Sequence, residues 1–284
     1  MSVGLIGLGN LGLAIARRLM SEGVDLVVWN RTRSKSRNSN APVASSPADL
    51  ISRVDILLLN LADSNAVEAV LESENGLLSG DCRGKIIVDT TTNHFDRVAQ
   101  FYRQFDEKGA SYLECPVSGS IIPASKGELT ILVSGDRRSF DATSPLLRKI
   151  GKRIFYLERP GLATKMKLVT NLVLGSFMVT LAEAIVLGEN AGIEKGQILE
   201  ILSSSAGNSA LLNNKKEKLL KEDFSPHFSS AMMHKDLNYV EDLAKSLRQP
   251  LFTGLVSREL FSKAMPMKIG DLDFSAVYKI LKEM

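Results

Sequence analysis

The sequence predicts a mostly parallel α/β domain over residues 1–160 and an all-helical domain over 161–284. Three observations predict it. Short apolar runs alternate with helix-period stretches through the first half of the chain. No run of comparable strand quality follows residue 160. Between the first apolar run and the first amphipathic one lie three glycines, spaced Gly7-x-Gly9-x-x-Gly12.

Taken in order, "SVGLIG" (2–7) is an apolar strand, and "LGLAIARRLMSEG" (11–23) has helical periodicity ending at Gly23. "VDLVVWN" (24–30) returns to strand. "VDILLLNLA" (54–62), "GKIIVDTT" (84–91), "ASYLECPV" (110–117) and "LTILVSGD" (129–136) continue as buried strands between helix-like stretches. "RIFYL" (153–157) is expected to be the last strand. This βαβα order calls for a mostly parallel sheet with helices on both faces. The boundary falls at Pro160 and Gly161. The segment "LVTNLVLGSFMVTLAEAIVLG" (168–188) that follows has the length of a membrane span, yet Asn171 and Glu183 interrupt it and Lys165 and Lys167 abut it. A long helix buried between two protein layers accounts for its all-round apolarity, and it belongs to neither half cleanly.

Composition narrows the classes of function. With 284 residues, 44% hydrophobic and 24% charged, the chain reads as globular rather than disordered. A net charge of +3 with scattered Lys and Arg argues against nucleic acid as a partner and suits anionic small molecules. Cys82 and Cys115 lack metal-ligand spacing and form no disulfide framework, so a reducing, cytoplasmic setting is expected. His94, His227 and His234 form no metal motif and are expected to be solvated or structural. The opening residues carry no basic region before their apolar stretch, so no leader and no membrane partner are expected.

The glycine turn sits where a dinucleotide would need it, at the end of a strand, opening a helix, in a βαβ unit. Gly7 would permit the tight turn, Gly9 would let backbone approach a pyrophosphate, and Gly12 would let helix pack on strand. Leu8, Asn10 and Leu11 complete the cradle, with helix N–H groups facing the phosphate oxygens. The end of the second strand selects the dinucleotide. An NAD site usually places Asp or Glu there, whereas this chain has Asn30 followed by "RTRSK" (31–35). Without that carboxylate a 2′-phosphate is not repelled, and Arg31, Thr32 and Lys35 can bind it, so NADPH is favoured over NADH.

Three further clusters carry chemistry. "ECPVSGS" (114–120) places Ser118 and Gly119 beyond the carboxyl end of a strand, where their hydroxyl and N–H donors suit a substrate carboxylate. In "TKMKLVTN" (164–171), Lys167 and Asn171 lie four apart on one helix face, and Lys165 points elsewhere. Spacing alone serves a functional pair and a snorkelling lysine equally. "HKDLNYVEDLAK" (234–245) puts Lys235 and Asp236 near a helix start, where a surface ion pair is the plainest reading.

In combination these segments resemble the β-hydroxyacid dehydrogenases, relatives of 6-phosphogluconate dehydrogenase, and among them the glyoxylate/succinic semialdehyde reductases. The resemblance spans nearly the whole chain, through "GLGNLG", "VVWNRTRSK", "LADSNAVEAV", "VDTTT", "CPVSGS", "PASKGELTILVSGD", "GKRIFYL", "KMKLVTN", "HKDL" and "GDLDFSAV". It implies a Rossmann domain, a long interdomain helix and an all-α C-terminal domain that completes the site and mediates assembly into a dimer or tetramer. It implies that Lys167 is the catalytic lysine and Asn171 its partner, and that Ser118 and Gly119 form the substrate turn. Thr92 and Lys235 match cofactor contacts, while Phe228 and Asp236 match residues lining the site. The family's "DxST" serine is Thr91 here, Ser120 replaces a glycine common in the dehydrogenases, and "GLATKMK" lacks a glycine common before the lysine.

The expected reaction is hydride transfer to an aldehyde. Negative charge then builds on the carbonyl oxygen, and a donor aimed there stabilises the transition state more than the ground state. An ordinary lysine, with a pKa of about 10.4, is cationic at neutral pH and can also deliver the proton. The resemblance leaves an NAD-linked 3-hydroxyisobutyrate-type dehydrogenase and an imine reductase as alternatives, and a non-catalytic NADPH-binding scaffold as a third.

Overall fold

A computed structural model describes residues 2–284. Its first half runs β1 (Val3–Ile6), α1 (Asn10–Ser21), β2 (Leu26–Trp29), α2 (Arg33–Arg37), α3 (Pro47–Arg53) and β3 (Ile56–Leu59). It continues through α4 (Ser64–Glu72), β4 (Ile86–Asp89), α5 (Phe95–Glu107), β5 (Ser111–Glu114), β6 (Val117–Ser118) and α6 (Ile121–Lys126). Strands β7 (Leu129–Val133) and β8 (Gly151–Tyr156) flank α7 (Arg137–Ile150).

Strands β1 to β5 form one parallel sheet in the order β2-β1-β3-β4-β5, with Val3 opposite both Leu26 and Ile56. All four residues of β1 and of β3 are buried, because helices cover both faces of a parallel sheet. Their side chains alternate accordingly. Leu5, Ile56 and Leu58 join one core with Ile15 and Leu19 of α1, while Ile6, Leu57 and Leu59 join another with Leu50, Phe101 and Phe105. Local signals start the helices: Ser46, Asp63 and Asp136 each accept a backbone N–H at the head of α3, α4 and α7.

Two expectations about this half need correction. Residues 110–117 are not one strand, because β5 ends at Glu114 and β6 turns away to pair antiparallel with β7. Pro116 has no N–H to offer a ladder, and the N–H of Cys115 is spent on the Asp89 carbonyl at 2.7 Å. The last strands therefore form a second sheet, β6-β7-β8, in which only β7 and β8 are parallel. An antiparallel bridge between Glu114 and Ser134 links the two sheets.

The second half is helical: α8 (Leu162–Asn190), α9 (Lys195–Ser204), α10 (Ala210–Lys221), α11 (Ser230–Ser246), α12 (Thr253–Ser262) and α13 (Val277–Lys282). The chain divides into two compact units, Met1–Lys167 and Leu168–Met284, so the division falls inside α8. In the second unit Met178, Val179, Ala182 and Ile185 of α8 pack with Met233, Leu237, Phe261 and Tyr278. Helix α8 is long and apolar enough to cross a membrane by length and composition. The expected burial on all its sides is not observed. The side bearing Gly175 and Gly188 meets Met233 and Ile198, while Val169, Val173, Phe177 and Leu187 are exposed.

Candidate active site

Parallel strands end on one edge, so the loops after β1, β2, β3 and β4 gather there. The turn after β1 is built by backbone meeting backbone. Gly7 has φ +98°, and a Cβ on it would fall 2.1 Å from the Asn60 carbonyl oxygen. A Cβ on Gly12 would fall 2.0 Å from the Gly7 carbonyl oxygen. Gly9 differs: it is exposed, and a Cβ there would meet nothing within 4 Å. It precedes Asn10 and Leu11 at the head of α1, a helix with no side-chain cap. An open backbone at an uncapped helix N-terminus fits a pyrophosphate group.

Asn30 reaches this turn directly. Its Oδ1 accepts the Leu8 N–H at 2.9 Å and its Nδ2 donates to the Thr32 carbonyl at 3.0 Å. Sequence reasoning treated Asn30 as a missing carboxylate, whereas here it ties the glycine turn to the following loop. Arg31 and Thr32 on that loop and Lys35 on α2 are exposed.

At the end of β4, Thr91 is buried and its hydroxyl accepts the Leu61 N–H at 3.1 Å, while Thr92 is half-buried. Beneath them the Asp89 carboxylate takes the Thr91 N–H, the Asn93 amide and the Tyr112 hydroxyl. Burial pushes the Asp89 carboxyl above its ordinary range, against the opposing pull of those donors.

In the first unit, the structure brings Lys167 to the Ser118–Gly119 turn. Lys167 is buried, and its Nζ lies 3.4 Å from Ser118 Oγ. Gly119, with φ +119°, is exposed beside Ser118, and a Cβ there would press on Leu129 at 2.8 Å. The head of α8 is held to the sheets by side chains. Glu114 accepts the N–H groups of Gly161 and Thr164, and Ser134 Oγ accepts that of Ala163. Sequence reasoning missed this anchor, although an acid closing the apolar strand "SYLE" was a visible signal.

In the second unit, Asn171 is buried and donates its Nδ2 to Asp236 Oδ2 at 2.6 Å. That bond turns the amide oxygen away from the carboxylate. Lys235 Nζ lies 2.9 Å from Asp236 Oδ1 and over the Tyr239 ring. The pair is not the surface pair the sequence suggests, because Asp236 is 1% exposed and Lys235 17%. Phe228 is half-buried and packs edge-on against Phe274, with ring centroids 5.8 Å apart. Among the described residues no cluster of His, Cys, Asp and Glu could hold a metal ion.

Residues 2–158 match the family model described as the NAD binding domain of 6-phosphogluconate dehydrogenase. Residues 161–281 match the one described as NAD-binding of NADP-dependent 3-hydroxyisobutyrate dehydrogenase. The chain is 33% identical to glyoxylate/succinic semialdehyde reductase 1 of Arabidopsis thaliana over 99% of each chain. It is similar to the crystal structure of 3-hydroxyisobutyrate dehydrogenase from Salmonella typhimurium, with TM-score 0.91 and 26% identity over 99% of each. It is also similar to Psf3 in complex with NADP+ and 2-OPP, with TM-score 0.90 and 27% identity over 98% of this chain and 99% of that one.

Proposed function

We propose that this chain, which belongs to the β-hydroxyacid dehydrogenase family of NAD(P)-dependent oxidoreductases acting on CH–OH groups, uses NADPH to reduce short aldehydes bearing a carboxylate. Glyoxylate and succinic semialdehyde are the substrates of choice, by likeness to the reductase of that name. The observation that carries the reading is Lys167 Nζ beside Ser118 Oγ at 3.4 Å, a proton donor next to a turn suited to a carboxylate.

The dinucleotide, when bound, supplies a hydride for the carbonyl carbon. Gly9, Asn10 and Leu11 offer open backbone to its phosphates, and Arg31, Thr32 and Lys35 offer donors to a 2′-phosphate. The Lys167 ammonium donates to the carbonyl oxygen and gives it a proton as charge gathers there. Its contact with Ser118, at 3.4 Å, is long for a hydrogen bond, and a charge-assisted bond to the developing oxyanion is stronger. The Ser118 hydroxyl and the Gly119 backbone hold the acid end of the substrate. In the second unit, the Asn171 amide is fixed by Asp236.

Steady-state kinetics with NADPH and NADH, against glyoxylate, succinic semialdehyde, 3-hydroxyisobutyrate and a cyclic imine, test the reading. The expected result is the highest kcat/KM with NADPH and a carboxylated aldehyde. Arg31→Ala should raise the KM for NADPH roughly tenfold, the loss of one charge-assisted bond, and leave that for NADH unchanged. A wild-type preference for NADH overturns the cofactor assignment, and turnover of the imine alone overturns the substrate class.

The turn itself offers a sharper probe. Gly9→Ala meets no atom of the protein, so the melting temperature should stay that of the wild type. The added methyl stands where phosphate must approach, so NADPH affinity, read by fluorescence titration, should fall about tenfold. Unchanged affinity would move the phosphates off this turn.

A further inference from the structure

We infer that Glu114 is the positioning residue for Lys167, the group that sets where the ammonium stands relative to Ser118. The inference rests on the reading of Lys167 given above and adds a residue that touches neither substrate nor dinucleotide in that reading. Glu114 closes β5, is 1% exposed, and spends both carboxylate oxygens on the head of α8. Its Oε1 takes the Gly161 N–H and its Oε2 takes the Thr164 N–H at 2.9 Å. The Tyr102 hydroxyl lies 3.1 Å from Oε1 and 2.9 Å from the Ser134 carbonyl, bracing the carboxylate from the other side.

The neighbouring contact repeats the arrangement. Ser134 Oγ takes the Ala163 N–H at 2.9 Å, and the Ser134 backbone pairs with Glu114 at 3.0 and 3.1 Å. Three N–H groups at the start of α8 are thus satisfied by side chains of the sheets, where an ordinary helix would rely on water or a local cap. A carboxylate at the positive end of a helix is favourably placed. Burying it is costly unless its oxygens are bonded, which they are.

Geometry then ties the anchor to the lysine. Lys167 follows Thr164 by three residues, on the same side of the helix. Ser118 follows Glu114 by four residues and is held by its ladder to Thr130 of β7. One end of the Lys167–Ser118 contact is therefore set by the Glu114 side chain and the other by the backbone that continues from Glu114. A shift of α8 along its axis changes that distance without disturbing the glycine turn after β1.

A double-mutant cycle tests this. Glu114→Gln removes the charge and aims an amide N–H at a backbone N–H. It should lower the single-turnover rate roughly tenfold, since displacements of about 1 Å at a reacting group cost up to 10²-fold. NADPH affinity by fluorescence should not change. In a Lys167→Ala background the same substitution should cost nothing further, because there is no ammonium left to misplace. Ser134→Ala, which removes one smaller contact, should show the same pattern with a smaller loss, and it carries the cycle if Glu114→Gln does not fold. If the loss persists in full in the Lys167→Ala background, or merely follows the folded fraction measured by circular dichroism, the positioning role is overturned while the assignment of Lys167 stands. If Lys167→Ala alone keeps wild-type turnover, both fall.

Discussion

Lys167→Ala should lose at least ~10²-fold in kcat, the lower range for removing a general acid or an oxyanion donor. That loss corresponds to about 2.7 kcal/mol of transition-state stabilisation. NADPH affinity should be nearly unchanged, because the turn at Gly9 and the loop at Arg31 lie after β1 and β2, on other segments from α8. Lys165→Ala is the internal control. Two residues earlier on the helix, its side chain projects about 200° away from that of Lys167. Lys167 reaches Ser118 at 3.4 Å. Measured side by side, the two variants should differ by about the full catalytic loss. Equal kcat values in the two would show that the chemistry has been assigned to the wrong residue.

Asp273→Ala should destabilise the fold by about 3–5 kcal/mol, the cost of leaving one member of a buried ion pair alone. The Asp273 carboxylate is fully buried and takes Lys215 Nζ at 2.6 Å, the Ser275 hydroxyl at 2.7 Å and the N–H groups of His227 and Phe228. Burial alone would push its carboxyl up, but Lys215 and Ser275 outweigh that and hold it below its ordinary value of 3.8. The variant would strand the Lys215 ammonium against the Phe274 ring and release the segment that carries Phe228. Urea unfolding at pH 7 should show the loss. The sign with pH follows from the lowered carboxyl. Its contribution is present above the unfolded value near 3.8 and is lost as pH falls through the folded one. The gap between wild type and variant should therefore narrow below about pH 4. A gap that widened on acidification would contradict the assigned pairing.

The elements most legible in the sequence were those whose signal is local. Continuous apolar runs such as "ILLL" of β3 announced strands buried on both faces, and the glycine spacing announced the turn. Lys167 and Asn171 were legible as helix neighbours, but spacing could not say which partners they would meet. Those partners, Ser118 and Asp236, lie 49 and 65 residues away in sequence. The break between β5 and β6 was written in Pro116, yet the apolar pattern continues through it. Glu114 and Asp273 were harder still. A buried acid looks like any acid until the donors that satisfy it, drawn from distant segments, are assembled around it.

Asn30 binds two loops with one amide, and this has a consequence for anyone who would re-engineer the dinucleotide preference. Replacing Asn30 by Asp keeps the acceptor for the Leu8 N–H but turns the donor that meets the Thr32 carbonyl into a second oxygen. Two oxygens would then face each other at hydrogen-bonding distance, and the loop through Arg31 and Thr32 would have to move. The residue that would attract a ribose and the loop that would greet a 2′-phosphate are mechanically one part. A swap of preference at this strand end is therefore a rewrite of residues 30–35 as a block, not a single substitution.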